Sequence, residues 1–472
     1  MAMPEIFRTR QNVLPWESDG IRVLPPDLAL YHEASSILKV WYVIQGNDRD
    51  VIDFDLAGIT SSKEVMILTQ ALRNEPYKYQ KTVIIDALTE LHDAALDLSV
   101  PEKDRHNLDF ACAQINASLW YARKLRGDDL DNLDYIRNSQ GVEEPKEVSP
   151  EIIDYQIGQV EKARSEAGIT TDTIVDFQDW RKIHEIDQEE AQKELTDAIT
   201  SAFEKRSKFL GYKGAPPFGV KPVYVNAYYY VWIDTDKKTG SFTMQQNFGD
   251  IERPKVWTSG KTEELGWHEG GQHLSRMARR QQLIGRELPA FFGLTTVHGP
   301  EQIIEEGLGQ TITLLVPGAY DSLSPEGKFH VQNTILRSLV YGNAHLRINT
   351  DPDFSKGDFI KYVTKHLPWE PIDEIEEQII ERTKNPLKQA YLWAYAEGAK
   401  VFLVLNNILS VRGAKALLKE LDSKPFISSQ LLSLANRLMK DRKNVRAQMS
   451  PWAYSEFDSM IKNIESNQLH NV

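Results

Sequence analysis

The residues from His268 to His273 are the part of the chain whose types and spacing could do chemistry, because two imidazoles flank a segment that contains Glu269. Neutral imidazole is a common zinc ligand, and a glutamate beside the first histidine can take a proton from a water molecule that the metal activates. The pattern is typical of a zinc hydrolase. It indicates His268 and His273 as zinc ligands and Glu269 as the general base.

The spacing of the two histidines departs from the common zinc motif. In His-Glu-x-x-His the ligands are four residues apart, about 40° around an α-helix, so both reach one metal. Here they are five residues apart, which turns the second imidazole by roughly 100° more. Paired glycines inside a helix cost about 1 kcal/mol each relative to alanine, so Gly270 and Gly271 indicate a distorted backbone or the close approach of a ligand. The sequence predicts a π-bulge at this glycine pair, with both imidazoles on one side.

A third ligand is needed, and zinc hydrolases with such a helix often take it from a carboxylate on a second helix. Glu305 and Glu306 lie in an otherwise apolar, helical stretch at 302–312, where an unpaired charge would be costly to bury. A metal ion would satisfy that charge. The alternative is a pair of exposed acids at a helix start, where the helix dipole favours negative charge.

The chain that must position these residues has the three- and four-residue apolar period of α-helices over much of its length. The period runs from about 26 to 137, and Ser149 with Pro150 forms a helix start that the serine side chain would cap. We expect a mainly α-helical fold with a small antiparallel β-sheet or hairpin. Its parts are a helical N-terminal region at 1–150 and a catalytic region at 151–472, with a hairpin at 221–248, a motif helix at 261–283, a third-ligand helix at 301–316 and a helical C-terminal part.

The predicted hairpin lies before the histidine segment in the chain. β-Branched and aromatic residues dominate 222–233, a turn follows at 236–240, and a second strand is expected at 241–246. A strand along a metal cleft can hold an extended peptide by main-chain pairing, although a hairpin that only packs on helices fits the pattern equally well. Nearby aromatic side chains could line a substrate pocket or belong to the core. These are Tyr228, Tyr229, Tyr230, Trp232, Trp257 and Trp267.

Composition restricts the class of protein. Of 472 residues, 41% are apolar and 26% are charged, which is ordinary for a globular chain, and the apolar runs fall short of the ~20 residues of a membrane span. The net charge of −13 argues against nucleic acid as a partner, and no membrane partner is expected.

The amino terminus lacks the features of a secretory signal, which predicts a cytosolic location. The single cysteine, Cys112, lies on the apolar period of a helix and is expected to be a core thiol.

Several segments together resemble the core of a known family. They are residues 264–275, 288–291 and 305–308, in a match that extends over about 220 to 410. The chain resembles the domain-of-unknown-function 885 family, which consists of bacterial zinc-peptidase-like proteins of the gluzincin type. In that family two histidines and the glutamate of a Glu-Gly pair bind zinc. The resemblance therefore implies a gluzincin-like fold, and it favours Glu306 over Glu305 as the third ligand.

Two further segments match the family loosely. Residues 337–345 keep the family's spacing between an arginine and a histidine, and residues 386–398 look like its Pro-to-Gly segment. On this resemblance His345 and Tyr395 are the candidates for the donor that stabilises the tetrahedral oxyanion. Tyr341 stands where the family has an acid, which implies a reshaped pocket behind the metal.

The histidine segment itself departs from the family. It is two residues shorter than the family's version, has no proline, and carries Gln272 where the first of two paired histidines would lie. Its spacing is closer to that of dipeptidyl peptidase III and the microtubule tyrosine carboxypeptidases, which are also gluzincin-like. Zinc binding is therefore expected to carry over from the resemblance, whereas the substrate class is not.

The combined prediction is a zinc-dependent peptidase or amidase that acts on a peptide or a small amide substrate. Zn²⁺ would be held by His268, His273 and Glu306, with Glu269 as the general base. Two alternatives stay open. One is a catalytically degenerate gluzincin-like protein with a binding or scaffold role, and the other is a zinc amidase that acts on a non-peptide metabolite.

Overall fold

The structure, a computed structural model, describes residues 26–45, 51–56, 63–169, 174–214, 216–226, 230–236, 241–250 and 254–470. Within these ranges the chain is mainly α-helical with two small β-sheets, which confirms the predicted fold class. None of the helices in the described ranges is long and apolar enough to cross a membrane.

Five helices form the N-terminal part: α1 (Pro26–Ile44), α2 (Lys63–Arg73), α3 (Tyr77–Asp97), α4 (Glu102–Arg126) and α5 (Asn132–Gln140). Helices α1, α3 and α4 share one buried apolar core, and Cys112 lies half-buried against it, close to its predicted place. The same core takes in Phe291 and Phe292 from the second half of the chain. The N-terminal helices and the rest of the chain are therefore packed against one another.

Three helices come next: α6 (Pro150–Glu166), α7 (Ile174–Ile183) and α8 (Gln188–Leu210). Helix α6 begins at Pro150 as predicted, but the Ser149 side chain makes no capping hydrogen bond, so that part of the prediction is wrong. Asp187 caps α8 by accepting a hydrogen bond from the backbone of Glu190. The helix ends at Gly211, whose φ of 82° is the left-handed conformation that favours glycine.

The strands form two sheets. They are β1 (Phe54–Asp55), β2 (Phe218–Val223), β3 (Val231–Asp236), β4 (Ser241–Asn247) and β5 (Leu294–Thr295). Strand β1 pairs antiparallel with β5, and the larger sheet has the order β2-β4-β3. Strands β3 and β4 are the predicted antiparallel hairpin, whereas β2 lies parallel to β4 on its other edge.

The larger sheet is therefore mixed, and the single strand predicted at 222–233 is two strands separated by a break. Both strands are rich in β-forming residues, so strand propensity alone does not show where the first strand ends and the second begins. Tyr228, Tyr229 and the turn residues 237–240 lie outside the described residues.

The histidine segment belongs to one continuous but irregular helix. Helix α9 (Ser259–Leu265) runs into a π-helix at Gly266–Leu274, and the chain continues as α10 (Ser275–Leu283). Together they cover the predicted motif helix. The predicted third-ligand helix is α11 (Gln302–Leu315).

Seven helices complete the chain: α12 (Pro325–Thr350), α13 (Lys356–His366), α14 (Ile372–Lys384), α15 (Lys388–Ile408), α16 (Val411–Ser423), α17 (Ser428–Lys440) and α18 (Pro451–His470). Helix α11 is central, because it packs against both the π-helix and α15. Its contact with α15 is unusually close at Gly307 and Gly398, where a Cβ added to Gly307 would lie 2.5 Å from the Gly398 Cα. This approach brings the side chains of α15 to the carboxylates of α11.

Candidate metal centre

The π-helix sets the direction of the two histidines. Hydrogen bonds in a π-helix run from residue i to i+5, so side chains five residues apart fall on one face. The ring centroids of His268 and His273 are 4.9 Å apart, with the rings tilted by 59°. The predicted bulge is confirmed, and both imidazoles lie on the same side of the helix.

The glycines of this segment serve packing as well as backbone distortion. A Cβ on Gly270 would lie 2.8 Å from the Ile199 Cα of α8, and a Cβ on Gly266 would collide with Ala198 of the same helix. The π-helix therefore rests on α8 at close to backbone contact. The close approach at Gly270 is therefore made by a neighbouring helix rather than by a ligand, and the distorted backbone predicted for the glycine pair is the π-helix.

Three potential ligand atoms meet between the π-helix and α11. One ligand atom each from His268, His273 and Glu306 lies within 4.8 Å of the other two, and the His268 Nε2 is 3.6 Å from the Glu306 Oε2. Ligands of a tetrahedral zinc ion at 2.0–2.1 Å are about 3.3 Å apart, so a small contraction of the group would bind the metal. The sequence prediction placed these three residues together, and the structure brings them together.

The hydrogen bonding of Glu306 fits a metal ligand. Its Oε2 is buried and has no hydrogen-bond partner, which is a costly state for a carboxylate oxygen unless a cation faces it. Its Oε1 accepts a hydrogen bond of 2.7 Å from the Tyr391 hydroxyl. One oxygen is thus held by the protein while the other points to the two imidazoles.

Glu305 orients the second histidine. Its Oε2 lies 3.4 Å from the His273 Nδ1, and a carboxylate oxygen only accepts, so Nδ1 carries a proton and Nε2 is the atom that could bind a metal. Glu305 in turn pairs with Arg276, which also donates to Glu301 at 2.7 Å. Both glutamates of the pair at 305–306 are buried, so the alternative of two exposed acids is wrong.

The charges of the site shift several pKa values. Burial raises the pKa of Glu269, and the two histidines oppose that shift only in part. For His273, burial lowers the pKa, but the Glu305 hydrogen bond and the charges of Glu269 and Glu306 outweigh it and raise the pKa to about 9. Burial acts to raise the pKa of Glu306 too, and the two histidines reverse the direction and lower it. A positive charge is therefore favoured between these carboxylates.

Helix α11 also contacts the His268 ring directly. A Cβ added to Gly309 would lie 2.6 Å from the His268 Cε1, so the imidazole rests directly on the backbone of α11. His268 is the partly exposed member of the three ligand residues, whereas His273 and Glu306 are buried. The site is consequently open to solvent on the His268 side.

The two candidates for an oxyanion donor have different surroundings. The Tyr395 hydroxyl lies 2.8 Å from the Tyr391 hydroxyl, which contacts Glu306, so Tyr395 belongs to the site. His345 is fully buried, and its Nε2 donates to the Gln389 carbonyl at 3.0 Å. Because that proton is already engaged, we do not retain His345 as an oxyanion donor.

Sequence reasoning missed Tyr391 and the arginines that hold Glu305. Tyr391 precedes Tyr395 by four residues, which puts both on one face of α15, and this spacing was the available signal. Of the aromatic residues considered for a substrate pocket, Trp257 and Trp267 are buried core residues. Tyr230 and Trp232 are half-buried.

Comparison with known proteins gives distant likenesses. No protein family matches the chain, and no curated protein matches it. One similar solved structure is a protein from Colwellia psychrerythraea provisionally described as a lipoprotein, with 12% identity, a TM-score of 0.49, and coverage of 80% of this chain and 72% of that chain. Another is a protein of unknown function from Shewanella oneidensis with the same provisional description, at 10% identity and a TM-score of 0.43, with 92% and 91% covered.

The comparisons lead to one correction. Both of these proteins carry the description of a lipoprotein, and the cytosolic location expected from the amino-terminal residues is contradicted by it. The absence of a recognisable signal pattern was the sole basis of that expectation, and the cytosolic assignment is withdrawn.

Proposed function

We propose that this chain is a zinc-dependent hydrolase of peptide or amide bonds. The observation that carries the proposal is the convergence of His268, His273 and Glu306, whose ligand atoms lie within 4.8 Å of one another beside Glu269. The unpartnered buried oxygen of Glu306 supports a cation at this point. The resemblance of the same segments to gluzincin-type peptidases supports zinc as that cation.

Each residue of the site has a role in such a reaction. Zinc in a site of this kind acidifies water and polarises a carbonyl group. Glu269 accepts the proton of the attacking water and passes it to the leaving amine, and its raised pKa favours the acceptance. Glu305 keeps the proton of His273 on Nδ1, and Tyr391 holds the carboxylate of Glu306. Tyr395 is the remaining candidate to donate a hydrogen bond to the oxyanion.

Metal content of the purified protein tests the binding step. We expect close to one zinc per chain in the wild type and its loss in His268→Ala and His273→Ala. His366→Ala is the matched control, because His366 lies on α13 and hydrogen-bonds the Tyr362 carbonyl. A wild-type protein that holds no near-stoichiometric zinc after reconstitution contradicts the proposal.

Turnover tests the chemical step. A panel of short peptides is offered to the wild type and to Glu269→Gln, and we expect the variant to lose nearly all hydrolysis while it keeps its zinc. Zinc binding without hydrolysis of any peptide points to the non-peptide amidase or to the binding protein. A panel of acylated amines separates those two, since only the amidase releases product from it.

A further inference from the structure

A buried arginine without a carboxylate partner lies near the candidate metal centre. Arg382, on α14, is 6% exposed, and its Nε and Nη1 have no hydrogen-bond partner. A guanidinium is charged at all physiological pH values, so its burial without a counter-charge is strongly unfavourable. An unpaired buried charge of this kind indicates a site where a bound ligand could supply the counter-charge.

The other buried arginines of the described residues make the contrast. Arg206 pairs with Asp422 at 2.6 Å, Arg276 with Glu301 at 2.7 Å, and Arg280 with Glu301 at 2.9 Å. All of these pairs are buried on both sides. Among the buried arginines in the described part of the chain, Arg382 is the one for which no carboxylate lies within ion-pair distance.

The surroundings of Arg382 lead towards the proposed metal ligands. Its guanidinium lies 5.2 Å from the ring centroid of Tyr341, and burial lowers its pKa to about 10 while the charge of Tyr395 acts in the opposite direction. Tyr395 connects through the Tyr391 hydroxyl to Glu306. The arginine thus lies within electrostatic range of the tyrosine pair that contacts the carboxylate proposed to bind zinc.

A second arginine, Arg337, lies near the Tyr341 ring and is partly exposed to solvent. Arg337 also interacts with Tyr341, and its side chain is 40% exposed although it pairs with Glu370 at 2.9 Å. The charge of Arg337 acts on Arg382, but it is matched by Glu370. The positive charge of this region that no carboxylate matches is that of Arg382, and an anionic ligand would neutralise it.

We propose that Arg382 binds a carboxylate group of the substrate, so that the enzyme prefers peptides or amides with a carboxylate near the bond to be cleaved. A guanidinium donates charge-assisted hydrogen bonds to a carboxylate, and Nε and Nη1, on different edges of the group, are two donors without a partner. The inference rests on the proposed hydrolase function for the identity of the ligand. The carboxylate is either the free carboxyl terminus of a peptide or the side chain of an aspartate or glutamate.

Binding measured without turnover tests this assignment. The full-length zinc-loaded protein carries Glu269→Gln, and calorimetry measures its affinity for N-acetyl dipeptides of varied sequence, each as the free acid and as the carboxyl-terminal amide. We expect the free acids to bind about tenfold or more tightly than their amides, in line with hydrogen bonds to a charged group. Adding Arg382→Gln should bring the ratio close to one, and Arg382→Lys should restore part of it.

A surface arginine supplies the control for Arg382. Arg347→Gln is the matched control, because Arg347 pairs with Glu147 at the surface and should leave the ratio unchanged. Thermal melts check that Arg382→Gln is folded, and removal of an unpaired buried charge should not lower its Tm. Amidated peptides with an internal aspartate or glutamate identify the side-chain source if they bind tightly and lose that affinity in Arg382→Gln.

Two results overturn the assignment: equal binding of acids and amides, or a preference for acids that persists in Arg382→Gln. Failure of the hydrolase proposal is distinguishable from either. Peptide turnover without a carboxylate preference leaves the hydrolase and removes the role of Arg382. A carboxylate preference in a protein that hydrolyses nothing leaves the binding site and removes the hydrolase.

Discussion

At the scale of single residues, the candidate site depends on which side-chain oxygen and nitrogen atoms already have a partner within the protein. Glu305 and Glu306 are adjacent in sequence, yet Glu305 is bound by Arg276 while one oxygen of Glu306 has no partner. The difference arises because consecutive residues on a helix point about 100° apart. Glu305 therefore faces the arginines of α10, and Glu306 faces the imidazole of His268.

Removal of the Tyr391 hydroxyl should weaken the proposed zinc site. In Tyr391→Phe the Oε1 of Glu306 loses a hydrogen bond of 2.7 Å that fixes its orientation. Loss of such a supporting contact lowers metal affinity by about 10- to 100-fold. Competition with a chromophoric chelator measures the affinity. Tyr454→Phe, at an exposed position, is the control, and equal zinc affinity in the two variants would count against the role of Tyr391.

Zinc affinity should rise with pH. The pKa of His273 is raised to about 9 in the metal-free protein, so the metal must displace a proton at pH 7. We expect the apparent affinity to increase about tenfold per pH unit between pH 7 and 8 and to level off above pH 9. Proton release on zinc addition, measured in two buffers of different ionisation enthalpy, checks the mechanism. Binding that is independent of pH in this range would contradict it.

The raised pKa of His273 has the opposite effect on the stability of the metal-free protein. A histidine whose pKa is higher in the folded protein than its usual 6.5 stabilises the fold when it is protonated. That contribution is fully present below about pH 6.5 and is lost as the pH rises through about 9. Zinc binding and metal-free stability are therefore expected to change in opposite directions with pH.

At the scale of elements, two helix contacts through glycine position the candidate site. The π-helix rests on α8 at Gly266 and Gly270, and α11 meets α15 at Gly307 and Gly398. The second contact sets the distance between Glu306 on one helix and Tyr391 on the other. Small changes in side-chain size at these points should therefore affect the site without touching a ligand.

Gly307→Ala tests the contact between α11 and α15. The added methyl group would lie 2.5 Å from the Gly398 Cα, so the helices must separate, at a cost of about 1–3 kcal/mol in the free energy of unfolding. Thermal and urea unfolding measure the loss. Gly158→Ala is the matched control, because Gly158 lies on an exposed part of α6 with open space around it. The control should be neutral or slightly stabilising, and a similar loss in both variants would contradict the packing argument.

The sequence predicted some of these elements because the relevant signals are local. The five-residue spacing of His268 and His273 predicts a π-bulge, and two carboxylates in the apolar, helical stretch at 302–312 predict a helix that could supply a third ligand. The parallel pairing of β2, the role of Tyr391 and the unpaired state of Arg382 depend on contacts between distant segments. No periodicity in one helix reports which helix lies opposite, so these features became visible only in the folded chain.

At the scale of the whole molecule, the proposed metal would tie together segments more than thirty residues apart. His268 and His273 belong to the π-helix, and Glu306 belongs to α11, which packs against both the π-helix and α15. The N-terminal helices share a core with residues 291–292 between these two segments. If zinc binds as proposed, it would therefore strengthen the packing between the π-helix and α11.

Removal of zinc should lower the Tm of the protein by several degrees. A ligand that binds the folded state alone stabilises it by about 4 kcal/mol when its concentration is a thousand times its Kd. Calorimetric scans with and without a chelator measure the shift. His268→Ala is the control, because it should already have the lower Tm and respond little to the chelator. An equal response in both proteins would show that the chelator acts elsewhere.

The π-helix has a consequence beyond the two histidines, because it accommodates its extra residue without turning the helix that follows. If Gly271 were deleted, the segment would read His-Glu-Gly-Gln-His, the ordinary four-residue spacing on a regular α-helix. A π-turn places residues five apart on one face, as an α-turn places residues four apart, so the two histidines would remain neighbours. Arg276 and Arg280 follow His273 at fixed helical offsets, so they would keep the direction in which they contact Glu301 and Glu305. The additional glycine is thus an insertion that lengthens the turn between the histidines and leaves the arginine face of the next helix in place.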